Sequence, residues 1–413
     1  MRYIEETAPG RRDASNSLWV AVVGVLLVFL LIVVGWLLVT LEASAIIMAL
    51  PAMVPLAIVL GSAWWLDRWE PEPRLLLALG LVYGAGASVL GTLWGGNLMM
   101  RVTGKALELP IGEAIAISVQ GPVVEEVMKG LGLLLILAIA RREFDGPVDG
   151  FIYAAMIGAG FAFTENILYF ANAGEESLVW TLVVRGILSP FAHALFTGLA
   201  GMALGWAARY GGTWRVVAGW VGGTVLAILA HAFWNTGSVL LLPLVGVDPS
   251  NPVAWIAFYV LVQIPLFCVI VWFLLHLRER DRRMTKARLE EYCEKGWFTP
   301  NEVAMITDWG SRVKALRWAK QGGDERHRAM RDFIEDATRL AYAREHARID
   351  KRDPDRRRVE RSLLKRVQED RSRIQRAGTT ATAIAAAATG QIPIIRQDEP
   401  TLRDEDQAPL TPA

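Results

Sequence analysis

The sequence has little cysteine and, over its first two thirds, little charge. Two cysteines occur in 413 residues, Cys268 and Cys293, which excludes a disulfide framework and gives no zinc knuckle. Of the 43 Lys and Arg only 13 lie in residues 1–277, and of the 42 acidic residues only 18. The remaining 30 basic and 24 acidic residues fall in 278–413, so the composition divides the chain near residue 278. Several reactive signatures are also missing. No His-Glu-x-x-His occurs anywhere, the long apolar stretches hold no pair of aspartates, and no Gly-x-Ser-Gly stands against a histidine in them. No internal repeat stands out.

What fills the charge-poor part is Leu, Val, Ala, Gly and Trp. Eight stretches are long enough to cross a bilayer core, which takes roughly 20 apolar residues in a helix: 18–41, 45–66, 75–100, 114–140, 148–172, 178–207, 214–242 and 253–277. The fold class expected is therefore all-α, a polytopic transmembrane bundle of about eight spans. The first run, Leu18 to Leu41, exceeds the ~7–15 residues of a signal-peptide core and reads as a retained anchor. With the N-terminus inside, the inner segments carry Arg2, Arg11, Arg12, Arg68, Arg74, Arg141, Arg142, Arg209, Arg215 and the basic tail. The outer ones carry Arg101 and Lys105, with Arg185 ambiguous near the end of span six. This bias predicts a protein of the cell (plasma) membrane with both termini cytoplasmic.

The domain plan expected is a cytoplasmic N-terminus over 1–17, a membrane domain over 18–277, a charged helical region over 278–376 and a disordered tail over 377–413. Arg278 to Lys295 reads as a helix leaving the membrane. Thr299-Pro300-Asn301-Glu302 has the form of a helix start, with Thr as cap, Pro at the first position and Glu three residues after the cap. The helical pattern breaks at Asp353-Pro354, and beyond Gly378 an Ala/Thr-rich stretch and a Pro- and Asp-containing end read as disordered. Acidic and basic residues nearly cancel in this region, so the lipid bilayer is the expected surrounding partner and no nucleic acid is expected.

Within the spans the ionisable residues are few and clustered: Glu125, Glu126 and Lys129 in span four, Glu165 beside Asn166 in span five, His193 in span six, and His231 with Asn235 in span seven. A charge in mid-membrane costs about 2.5–3.5 kcal/mol on insertion scales, which makes each a functional suspect. Glu125 and Lys129 stand one helical turn apart, as do His231 and Asn235, so Lys129 can neutralise one of the two neighbouring carboxylates. Counted from the outer end of each span at ~1.5 Å per residue, all four polar sets lie roughly 10–17 Å deep. Adjacent spans run in opposite directions, so periodicity does not force this agreement; one shared site, opening toward the outer leaflet, does. Runs of glycine, such as Gly150, Gly158 and Gly160 or Gly198, Gly201 and Gly205, let the helices approach. Pro122 and Pro190, each just before a polar set, can open helices around a wet cavity.

Two or three Glu and two His can activate water for peptide hydrolysis. They can do so directly, with His231 and Asn235 supplying donors to an oxyanion, or by holding Zn²⁺ with one position open to water. The adjacent Glu125 and Glu126 leave an ideal helix about 100° apart, which argues against both binding one metal.

The residues also match a family. Asp67-Arg68-Trp69-Glu70-Pro71-Glu72-Pro73, then Glu125-Glu126-Val-Met-Lys129, Gly160-Phe161-Ala-Phe-Thr-Glu165-Asn166, His193 and His231-Ala-Phe-Trp-Asn235 together resemble the PrsW family of intramembrane proteases, related to the CAAX prenyl endopeptidases and the bacterial Abi proteins. The resemblance covers about residues 50–277. It implies an intramembrane endopeptidase whose active-site set is Glu125, Glu126, Glu165, His193, His231 and Asn235. Zinc is the candidate cofactor, with His193, His231 and Glu126 as candidate ligands. The implied substrate is a membrane-anchored protein such as an anti-sigma factor. A proton-coupled transporter and a non-catalytic membrane scaffold remain as other readings. A transporter would more often show repeated halves with paired broken helices. The Asp67–Pro73 loop is the weakest catalytic candidate, because the loop count puts it on the cytoplasmic side, away from the site.

Overall fold

The computed structural model of the chain describes residues 9–103, 119–144, 146–237, 241–248, 251–349 and 354–389. Among these residues there is no strand. The membrane part begins with α1 (Pro9–Leu41) and α2 (Ala43–Asp67), then α3 (Arg74–Tyr83), a π turn (Gly84–Ser88) and α4 (Val89–Thr103). It continues with α5 (Gly121–Ile139), α6 (Pro147–Asn172), α7 (Glu175–Val183), a second π turn (Val184–Leu188) and α8 (Ala192–Tyr210). It closes with α9 (Thr213–Thr236), α10 (Pro252–Phe258), a third π turn (Tyr259–Gln263) and α11 (Ile264–Cys293).

Among the described residues, seven helices are long and apolar enough to cross a membrane: Trp19–Leu41, Ala43–Asp67, Arg74–Met99, Pro147–Asn172, Glu175–Tyr210, Thr213–Thr236 and Val253–Cys293. The chain is thus a multi-pass membrane protein. The remaining expected span, 114–140, is helical as α5, with its first residues, 114–118, outside the described ones. Glu125, Glu126 and Lys129 place three charges within the 19 residues of α5, which sets it apart from the seven. Pro122 is the second residue of α5, and Val119-Gln120 just before it are wound as a π turn, so the helix is irregular beside a proline that has no N–H to give.

The hub is α6. In its apolar stretch 78% of residues are buried, against 17% for α1 and 22% for α2 and α9. Helices α2, α3 and α8 pack on it, and α9 packs on α8. Bare backbone permits this closeness. A Cβ on Gly150 of α6 would collide with the carbonyl oxygen of Gly201 in α8, and one on Gly158 would come 2.7 Å from the carbonyl of His193. Gly222, by contrast, has nothing within 4 Å and is not an interface glycine. α5 then packs against α4, α6, α8 and α9, anchored by Tyr83 donating to the Met128 carbonyl at 2.8 Å and Trp220 donating to that of Gly130 at 2.8 Å.

Span six breaks where the sequence requires it. Pro190 cannot donate to the carbonyl one turn behind it, and Ser189 turns both its N–H (2.8 Å) and its hydroxyl (2.6 Å) back to the Val184 carbonyl. The helix restarts at Ala192, with His193 in its first turn.

The chain divides into two compact units, Met1–Met284 with Glu345–Arg352, and Thr285–Arg344 with Asp353–Ala413. The second unit contains α12 (Pro300–Thr307), α13 (Trp309–Gln321), most of α14 (Asp324–Ile349) and α15 (Pro354–Thr389). Its helix start is the expected capping box: the Thr299 hydroxyl accepts from the Glu302 N–H at 3.2 Å, and the Glu302 carboxylate accepts from the Thr299 N–H at 2.8 Å. It has its own apolar core, including Leu289, Phe298, Ile306, Phe333, Leu340 and Leu363. Helix α15 runs to Thr389, past Gly378 where the composition suggests disorder; 390–413 lie outside the described residues.

Candidate functional site

α5 supplies Glu125, Glu126 and Lys129; α6 supplies Glu165 and Asn166; α8 supplies His193 and Thr197; α9 supplies His231. Glu125, Glu126, His193 and His231 each present one ligating atom, all within 4.8 Å of one another. The expectation that Glu125 and Glu126 point too far apart to bind one metal is corrected: both present a ligating atom to the same group. The 100° applies to the Cα–Cβ directions, and the three rotatable bonds of each Glu bring both carboxylates onto one ammonium.

That ammonium is Lys129. Its side chain is wholly buried, and Nζ lies 2.7 Å from Glu126 Oε1, 3.2 Å from Glu125 Oε2 and 3.0 Å from His193 Nδ1. The same Nζ stands 4.1 Å from the Phe161 ring centroid. Lys129 therefore serves both carboxylates, where the sequence suggested one. Glu126 is the most tightly held of the acids. It also accepts from Thr197 Oγ1 at 2.9 Å and from His231 Nδ1 at 3.0 Å, and its side chain has no exposed surface. Among the described residues Glu125 is hydrogen-bonded to Lys129 alone; it keeps 12% of its side chain exposed and lies 3.9 Å from Nδ1 of each histidine.

Glu165 takes a different place. Its Oε2 lies 2.7 Å from His193 Nε2, on the far side of the imidazole from the other acids. An ammonium can only donate, so His193 Nδ1 accepts from Lys129 and the ring proton sits on Nε2, donated to Glu165. Glu165 thus orients His193 and is not one of the four converging groups. Arg185, in the second π turn, donates from Nη2 to Glu165 and from Nε to Asn166 Oδ1 at 2.8 Å. Asn235 is half-buried one turn after His231; among the described residues no hydrogen bond joins it to the four.

Two partners escape a sequence reading. Thr197 is an ordinary polar residue in an apolar helix. Arg185 lies near a span end, where arginine commonly anchors a helix to the interface.

At the other end of α6, Glu72 is buried, accepts from the Tyr153 hydroxyl, and has its own N–H on Asp67 Oδ1 at 3.0 Å. Burial, reinforced by the Asp149 charge, holds its carboxyl well above the usual carboxylate range. The Asp67–Pro73 loop takes no part in the Glu/His group.

Fold and site together define a multi-pass helical membrane protein with a Glu/Glu/His/His group able to hold a metal ion. Residues 72–270 match the model of the PrsW family intramembrane metalloproteases. Proteins named Protease PrsW are similar to it: that of Geobacillus kaustophilus (strain HTA426) is 43% identical over 63 residues, 15% of this chain and 26% of the relative. That of Clostridioides difficile (strain 630) is 31% identical over 148 residues, 35% and 59%. That of Bacillus subtilis (strain 168) is 37% identical over 81 residues, 20% and 35%. The chain thus spans between 26% and 59% of the length of these curated relatives. No solved structure matches it.

Proposed function

We propose that the chain is an intramembrane endopeptidase that hydrolyses a peptide bond in a membrane-anchored protein. The observation that carries this reading is the convergence of two carboxylates and two imidazoles to within 4.8 Å inside a helical membrane bundle. Glu126, gripped by three donors, fixes the geometry. Glu125, with one bond and partial access, is the acid free to take a proton from water. The water oxygen adds to the scissile carbonyl, and Asn235 donates toward the oxyanion that forms, while His231, whose Nδ1–H is held by Glu126, keeps that carboxylate in place. The proton held on Glu125 then passes to the departing amine as the C–N bond breaks. Glu165 keeps His193 turned toward this exchange.

Two nitrogen and two oxygen donors within one small volume are the set that zinc takes. His193, His231 and Glu126 would hold it, leaving Glu125 as base. A bound zinc supplies an acidified water and a polarised carbonyl. A second reading, a metal-free Glu/His enzyme, is favoured by Lys129, whose Nζ places a positive charge 2.7 Å from Glu126 and 3.0 Å from His193 among those same donors. Metal analysis of purified protein, with chelation and zinc add-back in a cleavage assay, separates the two: full activity in metal-free protein ends the zinc reading.

The family resemblance directs the substrate toward a membrane-anchored anti-sigma factor. The loop charges support a cell-membrane location with both termini cytoplasmic and the site toward the outer leaflet. Comparing the membrane proteome of wild type with that of a Glu126→Ala strain tests the whole reading. An uncut membrane-anchored protein accumulating in the variant is the expected result, and identical proteomes would overturn it.

A further inference from the structure

Arg185 stands 20 residues from Glu165 and 19 from Asn166, yet its guanidinium contacts both side chains. Nη2 reaches Glu165 Oε2, the same oxygen that receives His193 Nε2, while Nε is held by Asn166 Oδ1. Asn166 is 4% exposed, so this second contact has a rigid backing. The guanidinium carbon also lies 3.8 Å from the centroid of the Tyr169 ring, a cation–π contact. Three contacts from α6 thus fix one side chain that projects from a π turn, the kind of irregularity that accumulates at functional sites.

Glu165 keeps 15% of its side chain exposed at membrane depth and lies outside the group that Lys129 gathers. A carboxylate there needs a cation, and it needs its free rotation removed if it is to orient an imidazole. Arg185 supplies both, through a planar fork that lysine cannot reproduce. We propose that Arg185 is a positioning residue: by clamping Glu165 to Asn166 it locks His193 with its proton on Nε2 and Nδ1 turned to Glu125, Glu126 and His231. This deepens the protease reading and rests on it for its catalytic consequence. The orientation of His193 itself does not depend on that reading.

The test uses full-length protein in detergent micelles, labelled with ¹⁵N-histidine, with the His193 signals identified by their loss in His193→Gln. Wild type should show the Nε2-protonated form alone. Lys129 still donates to Nδ1 in the variants, so Arg185→Gln should shift and broaden the Nε2 signal as Glu165 loses its clamp, and Arg185→Lys should fall between, because one ammonium cannot hold Glu165 and Asn166 in the same plane. A His193 spectrum in Arg185→Gln identical to wild type would overturn the proposal. In cleavage assays on a reporter, Arg185→Gln should lower kcat about tenfold or more with KM within about twofold, the range found for residues that orient a site's ligands. In a Glu165→Gln background the same change should cost less than about twofold further, because both act through one path. A raised KM with unchanged kcat would place Arg185 on the substrate and overturn the positioning role, as would independent, multiplying losses. Should wild type cleave nothing, the protease reading fails while the His193 spectrum still decides the role of Arg185.

Discussion

At the scale of single residues, Glu126 and Glu125 differ more in environment than in chemistry. Glu126→Gln keeps the shape but removes the charge that Lys129, Thr197 and His231 all face, so reporter cleavage in proteoliposomes should fall by about 10² or more. Thr197→Val removes one of those donors and should cost nearer tenfold, with both variants eluting as folded protein. Wild-type rates in Glu126→Gln would remove Glu126 from the mechanism. Glu72 gives a different signature. Its folded carboxyl holds a proton that the unfolded chain gives up near the ordinary value of 4.5, so the folded state binds more protons above that pH. Stability in detergent should therefore fall as pH rises above about 4.5, and Glu72→Gln, which mimics the protonated acid, should flatten that slope and raise the melting temperature at pH 7. The Glu/His set is legible in the sequence because charge is conspicuous in an apolar span. Thr197 and Arg185 are not legible, because neither looks unusual until the fold brings them across 71 and 20 residues to their acids.

Among the elements, the span limits are legible from apolar length and the capping box at Thr299 from local chemistry. The π turns are not, since they depend on how one helix fits its neighbours; only the one before Pro190 has a visible cause. The glycine interfaces are half legible. Glycine spacing marks a face able to pack closely, but which glycines meet backbone depends on the partner helix. Gly150 meets Gly201 directly, whereas Gly222 meets nothing. Gly150→Val should therefore force α6 and α8 apart and abolish monodisperse protein on size-exclusion chromatography, while Gly222→Ala should behave as wild type. Equal tolerance of both would contradict the packing of the hub.

For the molecule as a whole, the loop charges predict both termini inside. With Cys268 and Cys293 removed, single cysteines at Glu175 and Asp248 should react with an impermeant maleimide added outside intact cells, and one at Gly212 should not. The opposite pattern would reverse the orientation and move the site to the cytoplasmic leaflet. The positive-inside bias is a property of loops and needs no tertiary contact, so the orientation is a prediction the sequence makes without the fold. How the charged C-terminal helices serve the membrane part is not written in composition, because their acidic and basic residues nearly balance.

The three charges of α5 also bear on how the chain is made. On insertion scales each costs about 2.5–3.5 kcal/mol in mid-membrane, and the pairing of Lys129 with Glu125 and Glu126 within the helix relieves only part of that. The further partners emerge from the ribosome much later: His193 lies 64 residues beyond Lys129, and His231 lies 105 residues beyond Glu126. A nascent chain ending before α9 should hold α5 poorly in lipid, and glycosylation-site mapping of stalled chains should find both its flanks on one side of the membrane in many chains until α9 is present. Biosynthesis would then have a checkpoint built of the same side chains as the proposed chemistry. A substitution at His231 should make the young protein a target for quality-control degradation as well as a poor enzyme.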